Sequence, residues 1–263
     1  MTIATAPRMA LLSAMFLTIP SIYAATPIAA TGANQDIIVE GYNPGGDLTT
    51  YATSSFDVAN GSTFLAKGIG FGGDPGLLQS FVSESDPSVE FELLGGYDEL
   101  NTLQLINGTS GTLTMVTPSA YSEIYVLTAS ANGSATGTAT VNFSGGSSLV
   151  LAFASGDWYG SDDVAISAGP VYAGTSGGTR AYYTNGNDAP APPRLFQYEL
   201  AIPLAYQGLE VTSIDFSIDS AGNDQLYTSI MGLSGNAVPE PSVAAMISAL
   251  GLFGLVRRKR ANV

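Results

Sequence analysis

The chain has 263 residues, no cysteine, no histidine and a formal net charge of −14 at pH 7. The two absences remove a Ser-His-Asp triad, a Cys-His pair, a disulfide framework and any His-ligated zinc or iron site. The acidic balance excludes a nucleic-acid or anionic-lipid surface, since both need clustered Lys and Arg.

Residues 1–8 carry one positive charge, residues 9–19 are an apolar stretch ended by Pro20, and small residues follow at Ala24 and Ala25. This is the layout of a secretory signal peptide over residues 1–25, too short to span a bilayer. It implies signal peptidase and the secretion machinery as partners. Cleavage after Ala24 or Ala25 is preferred, with a cut near Ala30 the weaker option. The exported body is then read as one domain over residues 31–236. It holds 21 acids against Lys67, Arg180 and Arg194, a balance of −18. Without disulfides it must be held together by core burial, for which about 200 residues suffice.

The body reads as strand after strand. Residues 37–39, 63–67, 88–94, 100–106, 112–117, 121–128, 138–143 and 149–153 are the first eight. Residues 180–184, 195–202, 211–218 and 225–232 complete the set. Val89, Phe91 and Leu93 alternate with Glu90 and Glu92, the period-2 pattern of a half-buried strand. Asn-Gly pairs at Asn107, Asn132 and Asn185 supply positive-φ turn residues. Three of the four sequons (Asn60, Asn107, Asn132 and Asn142) are such Asn-Gly turns, and all are read as turn chemistry rather than glycan sites. No long stretch has helical period. The expectation is an all-β fold, a β-sandwich with a jelly roll as the preferred version.

No Gly-rich phosphate loop is present, and no carboxylate pair is marked out by spacing for glycoside hydrolysis, so the chain is expected not to be an enzyme. The most suggestive stretch is 157–163. Asp157, Asp162 and Asp163 with Ser161 offer oxygens of the kind calcium takes. The spacing does not match an EF-hand, and a solvated acidic loop with Trp158 packed on the sandwich edge is the favoured alternative. Trp158, Tyr159, Tyr182, Tyr183 and Tyr198 are candidate sugar platforms, with Arg180 able to bond hydroxyls. Core and surface tyrosines of an all-β protein are again the favoured reading. Arg194 is expected to pair structurally.

The tail has three parts: Pro239-Glu240-Pro241, an apolar run over residues 243–256, and the cations Arg257, Arg258, Lys259 and Arg260. The prolines stiffen the first part. The run, about 21 Å long as a helix, crosses a bilayer core of roughly 30 Å only with snorkelling and local thinning. The cations favour the cytoplasmic side.

This tail, residues 238–263, resembles the PEP-CTERM sorting signal of Gram-negative bacteria that make exopolysaccharide. The resemblance implies an exosortase that recognises Pro239-Glu240-Pro241, a single transmembrane helix that anchors the chain transiently in the inner membrane, and delivery to the surface or extracellular matrix. Residues 85–235, on stretches 96–105, 121–127, 157–160 and 194–198, resemble a galactose-binding-like jelly roll. That resemblance implies a fold rather than an activity. Together they imply an exported matrix protein associated with exopolysaccharide; the alternative is a carbohydrate-binding module with or without calcium, and a carboxylate-based glycosidase comes last.

Overall fold

The computed structural model describes residues 24–40, 55–58, 61–66, 76–160, 163–167, 171–173, 181–183, 193–219 and 225–239. Among these residues all regular structure apart from turns is β. The central sheet runs in the order β1 (Thr26–Pro27), β17 (Tyr227–Ala237), β9 (Tyr121–Ala131), β15 (Arg194–Ala201) and β12 (Val164–Ser167); β7 (Leu103–Ile106) also pairs with β17. A second sheet runs β11 (Ser148–Ser155), β10 (Ala135–Phe143), β16 (Val211–Ile218), β8 (Ser110–Ser119) and β2 (Ala30–Thr31). Both are antiparallel throughout. A smaller sheet joins β14 (Ala181–Tyr183), β13 (Val171–Ala173), β4 (Ser62–Leu65) and β3 (Ile38–Val39), and β5 (Ser80–Val82) pairs with β6 (Glu90–Glu92).

Period-2 patterning explains how the two large sheets meet. In β16, Val211, Ile214, Phe216 and Ile218 are buried while Ser213, Asp215 and Ser217 stay half-exposed. In β10 the buried positions are Ala135, Ala139, Val141 and Phe143. These side chains form one core with Ile124 and Val126 of β9, Leu200 of β15, and Ile230 and Leu233 of β17. Phe153 of β11 sits edge-on to Phe216 at 5.2 Å and to Tyr198 at 5.4 Å, tying the two sheets at that side. Gly137 lies where β10 passes β16 so closely that a Cβ would fall 1.9 Å from the Ser217 carbonyl oxygen. The β9–β10 turn is carried by Asn132 at φ 66° and Gly133 at φ 124°, as the Asn-Gly reading requires.

The central sheet is covered on its other face as well. Tyr125, Leu127, Ala129 and Ala131 of β9 and Met231 of β17 share a second core with Ile37, Ile38, Phe56, Phe64, Phe81 and Phe91. β9 is therefore buried without a break from Ile124 to Ala131, the pattern of a strand with both faces covered.

Two expectations change. The body does not start at residue 31: Ala25 is 1% exposed and bridges to Val89, β1 pairs with β17, and Ile28 lies in the core. Five strands were also not foreseen, namely β1, β2, β5, β12 and β13, all four residues or shorter. The expected transmembrane run at 243–256 lies outside the described residues, and among those described no helix is long and apolar enough to cross a membrane.

Candidate functional site

The C-terminal segment leaves the fold from a fixed point. β17 pairs with β9 down to Ala237 opposite Tyr121, and the Val238 N–H then donates to the Ala120 carbonyl at 2.8 Å. Asn236 Nδ2 donates to Glu123 Oε2 at 2.6 Å, and Tyr125 Oη donates to the same oxygen at 3.0 Å. Burial, reinforced by Glu123, pushes the Tyr125 phenol well above its usual value, so it stays a donor. Pro239, the first residue of the motif, is exposed directly beyond this clamp. Glu240, Pro241, Arg257, Arg258, Lys259 and Arg260 lie outside the described residues.

In the acidic loop the described residues bond within the loop and to the adjoining strands. Asp157 Oδ1 accepts the Tyr159 N–H at 3.0 Å, and the Asp157 N–H donates to Ser134 Oγ at 3.2 Å. Asp162 lies outside the described residues. Asp163 adopts φ 38°, and its carbonyl accepts the Gln197 N–H at 2.9 Å. Among the described residues no group of three carboxylates comes together.

Trp158 is a core residue, which removes it as an exposed sugar platform. It is 4% exposed, with ring centroids 4.9 Å from Phe56, 4.8 Å from Tyr159 and 6.1 Å from Phe64. Its backbone is fixed at the same point: the Trp158 N–H donates to the Ser130 carbonyl at 2.9 Å, and its carbonyl accepts the Arg194 N–H at 2.8 Å. Arg194 Nη1 donates to the Gly160 carbonyl, closing the same loop. Tyr182 and Tyr183 stand in β14 opposite Tyr172 and Val171, while Arg180 lies outside the described residues.

Two surfaces were not singled out from sequence. One is a cavity of about 290 Å³ between β11 and β15, lined by Ser134, Thr136, Ser155, Asp163, Phe196 and Tyr198 among others. It combines aromatic rings, hydroxyls and one carboxylate, and of the expected platforms it takes in Tyr198 alone. The other is the outer face of the second sheet. Register places Thr114, Ser213, Asn142 and Ser148 in one row across the strands, Thr112, Asp215, Thr140 and Val150 in the next, and Ser110, Ser217, Thr138 and Ala152 in a third. Asp215 is the only charge among them. Its carboxylate accepts from Thr112 Oγ1 at 2.5 Å and from Asn142 Nδ2 at 2.7 Å. The signal for this face was present in the alternation of Thr138, Thr140 and Asn142 with Ala139, Val141 and Phe143, but only strand order assembles it.

Comparison with known proteins bears on the tail. No curated protein matches the chain. Among solved structures, the crystal structure of an HCR/D mutant is similar over 64% of this chain and 45% of its own, at 11% identity and a TM-score of 0.21. This chain thus spans less than half of that structure, and a likeness at that level carries no argument. Residues 237–260 match the family model of the PEP-CTERM protein-sorting motif. Pro239, exposed one residue past the last sheet hydrogen bond, is the first residue of the Pro-Glu-Pro within that match, and the chain carries a PEP-CTERM sorting signal, which implies export, exosortase processing and an extracellular destination.

Proposed function

We propose that the body is a non-catalytic β-sandwich of jelly-roll type, with an added third layer, that associates with neutral exopolysaccharide after sorting. The observation that supports this is the outer face of the second sheet. In a body with a balance of −18, this face offers rows of Ser, Thr and Asn with one carboxylate, and that carboxylate is held by neighbouring side chains. A neutral, hydroxyl-bearing polymer meets no repulsion there and finds donors and acceptors at strand spacing, about 4.8 Å apart. An anionic polymer or nucleic acid finds no Lys or Arg there.

A second reading is favoured by the cavity: a carbohydrate-binding module that seats a single sugar ring against Tyr198, with Asp163 and the serine hydroxyls bonding it. The test is retention of the exported protein on the producing organism's exopolysaccharide, with calcium and with chelator. Thr138→Glu with Thr140→Glu is expected to abolish retention, and Tyr198→Ala to leave it. Loss with Tyr198→Ala alone would move the site to the cavity. No retention of the unaltered protein sinks both readings.

A further inference from the structure

We infer that two copies of this chain pair antiparallel along β11, joining their second sheets across a twofold axis. β11 is the outer strand of its sheet. It is paired on one side in unbroken register with β10, from Ala135 opposite Ser155 to Asn142 opposite Ser148. Among the described residues nothing pairs its other side. The other outermost strands of the two large sheets are short: β1 and β2 have two residues each, and β7 and β12 have four each. Among the described residues β11, at eight residues, is the longest strand with a partner on one side only, and it has none of the features that usually blunt an edge. It holds no charge, no proline and no bulge. Its outward side chains stay exposed, Val150 at 62%.

The occupant that fits is a second copy. A body with a balance of −18 over residues 31–236 repels itself over most of its surface, so self-association requires a contact with little charge. β11 and β10 carry none, and the one carboxylate of the face, Asp215, lies a strand further away. The strand also complements itself. With the axis at Leu151, Val150 stands opposite the partner's Ala152, and Leu149 opposite the partner's Phe153. The bulky exposed valine meets a small residue, and two five-stranded sheets become one of ten.

Sedimentation velocity of the full-length protein in non-ionic detergent tests this, with melting temperature measured alongside. A dimer at tens of micromolar is expected. Ala152→Lys should convert it to monomer with at least a tenfold weaker association and an unchanged melt. Thr114→Lys, on the far strand of the same face, should leave the dimer intact. The cysteine-free background gives a second reading. Leu151→Cys places two thiols across the axis at about 4.5–5.5 Å between Cα atoms, within disulfide reach, so mild oxidation should yield a covalent dimer. A monomeric wild type, or a dimer that survives Ala152→Lys, overturns the inference.

Discussion

The Val238 N–H donates to the Ala120 carbonyl at 2.8 Å, and this is the last rung of sheet hydrogen bonding before Pro239. The sheet therefore ends directly before the Pro-Glu-Pro sequence. Everything the body needs from the C-terminal strand, including Ile230, Met231 and Leu233 in the two cores, lies upstream of the motif.

Removal of residues 239–263 should accordingly leave the melting temperature of the body within about a degree of the full chain. Ending the chain before Tyr227 should abolish folding, because β17 pairs with β1, β7 and β9 at once. In the producing cell, Glu240→Ala should accumulate an unprocessed, heavier form with an unaltered melt. A large thermal shift on removing residues 239–263, measured by calorimetry, would refute the separation of fold from signal.

The same kind of boundary applies at the other end. Ala25 receives the Glu90 N–H at 3.0 Å and gives its own N–H to the Ser88 carbonyl at 2.8 Å, and the Ile28 N–H bonds to Leu233 at 2.9 Å. A mature chain starting at Ala25 keeps all three contacts. One starting at residue 31 loses them together with a buried isoleucine, at a cost of about 2–5 kcal/mol. Mass spectrometry of the exported protein should find Ala25 as its first residue, and a body trimmed to residue 31 should melt several degrees lower.

How much of this was legible depends on what each residue must satisfy locally. The bounds of β16 are legible because Ile214, Phe216 and Ile218 alternate with polar residues on a strand that has one wet face. The pattern of β9 stops at Thr128 because its last residues, Ala129, Ser130 and Ala131, are small and do not alternate. They are buried on both faces against neighbours far away in sequence. The short strands failed for a related reason: two to four residues set no period, and their pairing is decided by the sheet they join. The sorting tail was the most legible part, since its three segments act through local chemistry and contiguous order. The hydroxyl face was the least, being distributed over four strands from residue 110 to residue 217.

Trp158 illustrates the same point and can be checked directly. A lone tryptophan in an acidic loop invites a surface role, yet its ring is packed among Phe56, Phe64 and Tyr159. As the chain holds one tryptophan, native fluorescence reports this site alone. Emission should be blue-shifted and resistant to acrylamide, becoming red-shifted and quenchable on unfolding. Trp158→Ala should destabilise by about 3–5 kcal/mol through the cavity it leaves. A solvent-like native emission spectrum would contradict the packing.

Asp36 should give the body an unusual pH response. It is 8% exposed, accepts Asn101 Nδ2 at 2.7 Å, and sits near Asp98 and Glu40. Burial raises its carboxyl above the ordinary 3.8, the bonds from Asn101 and from the Ile38 N–H oppose the shift, and the Asp98 charge adds to it. The folded state therefore binds this proton more tightly than the unfolded chain does. Between the two values the folded state holds more protons, so stability from this group falls as pH rises and is lost above the folded value. Most paired carboxylates do the reverse. Asp36→Asn keeps an acceptor for Asn101 and removes the ionisation, so it should raise the melting temperature at pH 7. That gain should shrink on acidification and close as the pH passes below 3.8. Melts of both proteins across this range decide it: a variant less stable than wild type at neutral pH would mean that the charge at Asp36 is wanted by the fold.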